Sequence, residues 1–174
     1  EERILESYSE VVDYEKCTSL SVPTWQELHE ISPEQLLTAV SNIVRIEGPI
    51  HLDEVTRRIR EHWGLKRSGR RIQENVQSAI RIASRSGGIT KKGDFLYSPT
   101  NRHIQVRRRN DDPSPKIELI SDEEISEAVI LVLKHQFSTP QSELAVPVSR
   151  LFGFKSTSSQ IAEQIDRVVK KMLR

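Results

Sequence analysis

Cysteine occurs once in these 174 residues, at Cys17, and methionine once, at Met172. A single thiol excludes an internal disulfide framework and fits a reducing compartment, so a cytoplasmic location is expected. No apolar run approaches the ~18 residues that a membrane span needs, and no signal-peptide pattern is present. Aromatic residues make up only 5% of the chain, which suits small helical cores better than a large sheet. With Glu1-Glu2 at its start and methionine only near its end, the sequence reads as an excised piece of a longer polypeptide.

Catalytic and metal-binding patterns are also scarce. No Walker motif occurs, so ATP binding by a P-loop is not expected. The histidines (His29, His51, His62, His103, His135) lack metal-ligand spacing and Cys17 has no second cysteine beside it, so no metal or other cofactor is expected. Asp53-Glu54 could suggest a nuclease pair, but no Glu-x-Lys element follows. Glu54 reads instead as an acid supporting the first turn of a helix, and His51 as a cap or packing residue at that start. The fragment is therefore expected not to be an enzyme; a cryptic nuclease would reveal itself by metal-dependent cleavage of DNA.

What the chain does have is a divided charge. The formal net charge is +1, yet residues 1–34 carry nine acids and two bases, and residues 35–109 carry six acids and sixteen bases. Residues 110–174 are mildly acidic, with ten acids and eight bases. A local excess of ten cations is the footprint expected of a polyanion-binding surface, while a solvated basic face offset by an acidic arm is the plainer reading.

Residues 1–30 are read as an acidic arm packed on the first domain, anchored by Ile4, Leu5, Tyr8, Val11, Val12, Tyr14, Leu20, Val22, Trp25 and Leu28. Ser32-Pro33-Glu34-Gln35 then starts a helix, with Ser32 as cap, Pro33 in the first turn and Gln35 reaching back. Leu36, Leu37, Val40, Ile43 and Val44 would be buried. After Gly48-Pro49 a second helix carries the stripe Leu52, Val55, Ile59 and Trp63, and Gly64 sits where a left-handed cap would end it. A third helix buries Ile72, Val76, Ala79, Ile80 and Ala83. Gly87-Gly88 breaks the chain, and residues 89–97 read as a hairpin turning near Lys92-Gly93. Residues 101–109 could add a strand.

Asn110-Asp111-Asp112-Pro113-Ser114-Pro115 has linker composition, and Ser121-Asp122-Glu123-Glu124 opens another capped helix with the stripe Ile125, Val129, Val132 and Leu133. A shift of 89 lays the first unit on the second without a gap. Ser32 falls on Ser121, Val55 on Leu144, Ile59 on Val148, and Trp63-Gly64 on Phe152-Gly153. Such register across three helices predicts a duplicated fold. Three differences set the copies apart: Arg67, Arg70 and Arg71 become Ser156, Ser159 and Gln160; Pro147 replaces Arg58; and no second wing follows before Arg174. The helix holding Pro147 should be kinked or should start near it.

The expected fold is mainly α with a small β-wing, as tandem winged-helix (helix-turn-helix) repeats. Its parts are an arm at 1–30, a first winged helix at 31–109, a linker at 110–118 and a winged-helix-like second unit at 119–174. Candidate nucleic-acid contacts are Lys66, Arg67, Arg70, Arg71, Gln73, Gln77, Arg81, Lys91, Lys92, Arg107, Arg108 and Arg109. Arg and Gln can read base edges, but the same residues hold phosphates, and their charge favours phosphate contact first.

The run from Glu47-Gly48-Pro49 through His51, Glu54, Arg58, Gly64-Leu65, Arg67, Gly69 and Arg71-Ile72 resembles a bacterial and archaeal domain of unknown function. So does Gly93-Asp94-Phe95-Leu96-Tyr97. That domain lies at the C-terminus of very large superfamily 1 helicase proteins that also carry a very-short-patch-repair-like, restriction-endonuclease-like domain. Arg70 departs from the serine usual at its position. The resemblance implies a setting, an ATP-dependent helicase–nuclease polypeptide, and no established activity for the domain itself. The expected function is therefore a non-catalytic DNA-binding accessory module. Its partners would be duplex or junction DNA and the helicase and nuclease domains of the same polypeptide, with no membrane. The alternative is a protein-interaction module whose arginines pair with carboxylates of those domains.

Overall fold

A computed structural model describes residues 8–136 and 138–174. The apolar anchors Ile4 and Leu5 expected in the arm lie outside the described residues. The chain is mainly helical (52%) with a small sheet. In chain order it forms strand β1 (Val12–Asp13), helix α1 (Pro33–Glu47), β2 (Ile50–His51), α2 (Leu52–His62) and α3 (Arg70–Arg85). Then follow β3 (Thr90–Lys92), β4 (Phe95–Tyr97), β5 (Arg107–Arg108), α4 (Asp122–His135), α5 (Ala145–Leu151) and α6 (Ser159–Met172). Two compact units divide these elements: one is Glu15–Arg102, the other combines Glu1–Tyr14 with His103–Arg174. The first unit is thus an insertion in the sequence of the second.

In the Glu15–Arg102 unit, α1 begins as its sequence dictates. Gln35 N–H donates to Ser32 Oγ at 3.4 Å, and the Gln35 side-chain oxygen accepts from Ser32 N–H at 3.0 Å, closing a reciprocal cap with Pro33 inside the first turn. Leu36, Val40, Ile43 and Val44 of α1 and Val55 and Ile59 of α2 are fully buried, and Ile72, Val76, Ala79, Ile80 and Ala83 of α3 join them. This is the expected stripe of each helix packed into one core. Gly48 ends α1 where a side chain could not fit, since a Cβ would stand 2.5 Å from the Val44 carbonyl oxygen. The sheet is antiparallel in the order β2-β4-β3, so the strand before α2 pairs with the second arm of the hairpin.

Charge is buried here too. Glu47, with no exposed surface, accepts from Arg58 Nη2 at 2.8 Å and from Arg58 Nε at 3.0 and 3.1 Å. It also accepts from Cys17 N–H at 3.0 Å, which ties the incoming segment to the end of α1.

The other unit is built around α4, α5 and α6, with Ile125, Val129 and Val132 buried against Leu144, Val148, Phe152, Ile165 and Val168. Leu133, expected in that stripe, is 43% exposed. Ser121 caps α4 through Glu124 N–H at 3.2 Å, but the Glu124 carboxylate does not complete a capping box: it is held by Arg107 and Arg109. Pro147 falls in the first turn of α5, which starts at Ala145 after a 3-10 turn at Gln141–Glu143, so the helix begins beside the proline as expected.

The element bounds keep the shift of 89. The 3-10 turn at Leu28–Glu30 falls on the one at Ile117–Leu119, and α1 starts 89 residues before α4. The residues of α2 span the same interval as the 3-10 turn and α5 together, and α3 starts 89 residues before α6. Gly64 and Gly153 both take positive φ, +67° and +95°, at the helix end. Where Glu47 and Arg58 form their buried pair, the positions 89 residues on hold Gln136 and Pro147, so both partners are absent there together.

Two boundaries differ from the sequence reading. Residues 8–14 of the arm belong with the unit that holds α4, α5 and α6, because β1 pairs in parallel with β5 (Val12 with Arg107, Asp13 with Arg108). Residues 110–118 are not a free spacer: Arg109 N–H donates to the Phe152 carbonyl at 2.9 Å, and Ile117 is 3% exposed in the core.

Candidate nucleic-acid interface

The corner between α2 and α3 follows from its glycines. Gly64 takes the left-handed conformation that ends α2, with Gly64 N–H bonded to the Glu61 carbonyl at 2.9 Å and Leu65 N–H to that of Arg60 at 3.1 Å. Gly69, in extended backbone, precedes α3 and offers no side-chain cap. Lys66 and Arg67 in this turn, and Arg70 and Arg71 in the first turn of α3, are all exposed. That first turn contains no acid. Cations there sit against the positive end of the helix dipole, an arrangement costing typically ~0.3–1 kcal/mol each, which a bound anion would reverse.

Arg70 Nε meets Glu74 at 2.9 Å, but 92% of the Arg70 side chain is open to solvent, so the pair is weak and readily exchanged. Among the described residues, no carboxylate lies at ion-pair distance from Lys66, Arg67 or Arg71. Gln73, Gln77 and Arg81 are exposed along the same face of α3, with Gln73 Nε2 anchored on the Ser68 carbonyl (3.4 Å) and Arg81 Nη2 on Ser78 Oγ (2.9 Å). On the hairpin Lys91 is exposed, and Lys92 Nζ lies 5.0 Å from the centre of the Tyr97 ring, with Gly93 turning the strand at φ +58°.

Beside this face a groove of about 520 Å³ runs between α2 and α3, lined by Thr56, Arg57, Arg60, Arg67, Ser68, Gln73 and Gln77, with Asp53 and Glu54 also on its wall. Arg57 and Arg60 were not singled out from the sequence, although their spacing on the polar side of α2 brings them onto one face. Arg57 is drawn to Glu61 (3.0 Å) and Glu54 (3.6 Å). Arg60 Nε is buried and finds no hydrogen-bond partner among the described residues. His51 serves as a cap: its Nδ1 accepts from Asp53 N–H at 3.1 Å, and its ring meets Phe95 edge-on. Trp63 packs on the core, and its Nε1–H donates to the Gln26 carbonyl at 2.9 Å.

Three of the expected contacts are not at this site. Arg107, Arg108 and Arg109 lie in the other unit and are held there. Arg107 Nη2 meets Glu124 Oε1 at 2.7 Å and Arg109 Nη1 meets Glu124 Oε2 at 2.9 Å, while Arg108 faces Asp13. The Tyr14 ring lies against the guanidinium carbons of both Arg107 and Arg109, at 4.7 and 5.0 Å. Burial pushes the Glu124 carboxyl up, but the charges and hydrogen bonds of Arg109 and Arg107 outweigh it and hold the group below its ordinary value. These arginines neutralise a buried acid and so are not available to a ligand.

The class that the chain can be set in is a broad one: a mainly helical protein with an exposed cationic corner between two helices. Residues 26–74, from the end of the arm to the first turn of α3, match a family described as a protein of unknown function (DUF3320). No curated protein and no solved structure matches the chain. Among the described residues no helix is long and apolar enough to cross a membrane.

Proposed function

We propose that the Glu15–Arg102 unit is a winged helix that binds DNA, chiefly through phosphates, as a non-catalytic accessory module of an ATP-dependent helicase–nuclease polypeptide. In this reading α3 is the recognition helix and the β3–β4 hairpin the wing. The order helix, strand, helix, helix, hairpin supports it, as does the strand order β2-β4-β3. The observation that carries it is the set Lys66, Arg67 and Arg71, exposed and without acid partners among the described residues, at the start of a helix whose first turn holds no acid. The second copy is a second winged-helix-like unit that has lost this set and serves as scaffold.

Asp53 favours a second reading. Its side chain is 77% exposed on the wall of the same groove, where it would repel a phosphate, whereas a docked protein segment can set carboxylates on the arginines and a neutral or basic group on Asp53. Fluorescence anisotropy of labelled duplex, fork and single-stranded DNA at 50 and 200 mM salt separates the two. The DNA reading expects binding at 50 mM that falls by roughly 10³ at 200 mM if about six phosphates are contacted. No binding to any of the three at 50 mM would favour docking on the helicase or nuclease domain.

A further inference from the structure

Trp25 is the most exposed large apolar side chain among the described residues, at 78%, although its neighbours Val22, Leu28 and Ile31 are at most 8% exposed. The backbone around it is fixed on both sides. The Val22 carbonyl lies 3.0 Å from His62 Nε2, the Gln26 carbonyl accepts from Trp63 Nε1, and the Ile31 carbonyl accepts from Asn75 Nδ2 at 2.9 Å. Three anchors therefore hold the segment against the end of α2 and the start of α3, while the indole between them is left in water. Leu65, 36% exposed, lies two residues past Trp63, and Lys66, Arg67 and Arg71 follow.

An exposed indole whose adjoining backbone is bonded to Trp63, three and four residues before the exposed cations Lys66 and Arg67, has the composition of a stacking platform for an unpaired base. The acids of the same segment, Glu27 and Glu30, are exposed and would repel a phosphate placed on the indole itself. A neutral base face fits that position, with its backbone phosphates carried by the turn. Resting on the DNA reading above, we infer that Trp25 stacks on an unpaired nucleobase next to the duplex held by α3, so that the unit takes duplex DNA with a single-stranded end in preference to blunt duplex.

The test is anisotropy on the whole chain, with a labelled blunt duplex and the same duplex bearing a short single-stranded overhang. Stacking on one base is worth ~1–3 kcal/mol, so the overhang should bind about 5- to 150-fold tighter. Trp25→Ala should abolish that preference while leaving blunt-duplex affinity and the circular dichroism spectrum unchanged, and Trp25→Phe should keep most of it. Wild type binding both ligands equally, or Trp25→Ala retaining the preference, overturns the inference alone. Wild type binding neither overturns the DNA reading with it. An indole that serves a protein partner instead would give the first of these results.

Discussion

The buried pair of Glu47 and Arg58 allows a sharp test of how the first unit is held together. Glu47→Gln keeps the shape of the side chain and an oxygen for Cys17 N–H, but removes the charge that faces Arg58 across 2.8 Å. Arg58, 9% exposed, keeps the partly buried Glu54, 3.1 Å from its Nη1, but loses the fully buried carboxylate. Breaking such a pair from one side costs ~3–5 kcal/mol, because a buried charge loses its counter-ion. Against a total stability of ~5–15 kcal/mol, that is a fifth or more of what the unit has. Both tryptophans, Trp25 and Trp63, lie in the Glu15–Arg102 unit, so urea unfolding followed by tryptophan fluorescence reports on this unit alone. With a urea slope near ~1.5 kcal/mol/M, the midpoint should fall by about 2–3 M. Adding Arg58→Met should recover much of the loss, since it removes the buried guanidinium that has lost its counter-ion. The positions 89 residues further on, Gln136 and Pro147, lack both partners at once. A midpoint shift of a few tenths molar for Glu47→Gln, or an Arg58→Met change that adds to the loss, would refute this account of the core.

Two further outcomes concern single positions. Glu124 titrates below its ordinary value when folded, so its ionised form favours the fold; that contribution is full above ~4.3, the value of an unfolded glutamate, and drains as pH falls through the folded value. Urea unfolding of the α4–α6 unit, followed by circular dichroism, should therefore weaken from pH 5 to pH 3 in the wild type, and Glu124→Gln should flatten this dependence while lowering stability at pH 7. Gly48→Ala should destabilise the first unit by ~1–3 kcal/mol, because its Cβ would meet the backbone oxygen of Val44 at 2.5 Å; an unchanged thermal midpoint would show that the turn can shift to admit it.

Much of the helical architecture was legible because its signals are local. Ser32-Pro33-Gln35 specifies a capped start, Gly64 a left-handed end, and the stripes through Val55-Ile59 and Ile72-Val76 a buried face, each within two turns of chain. Pro147 likewise set the start of α5. What escaped the sequence depends on partners far along the chain. Arg107 and Arg109 look like any basic run until Glu124 and Tyr14 are brought to them, and a count of charges does not tell an arginine that neutralises a buried acid from one left in solvent. The division at Tyr14 rests on the parallel pairing of β1 with β5, which joins residues more than ninety positions apart. Trp25 read as an arm anchor because apolar residues are usually buried; its backbone is anchored, and its side chain is not.

The slope of DNA affinity against salt is the most direct measurement of the central claim. For the whole chain and a labelled duplex, a plot of log affinity against log salt between 50 and 200 mM should be linear, with a slope of about −0.9 for each phosphate contacted. Replacing Arg67, Arg70 and Arg71 together by Ala should make that slope shallower by nearly 3, whereas replacing Arg108, which faces Asp13 in the other unit, should leave it unchanged. A wild-type slope near zero, or a triple variant with the wild-type slope, would contradict DNA binding through the corner between α2 and α3.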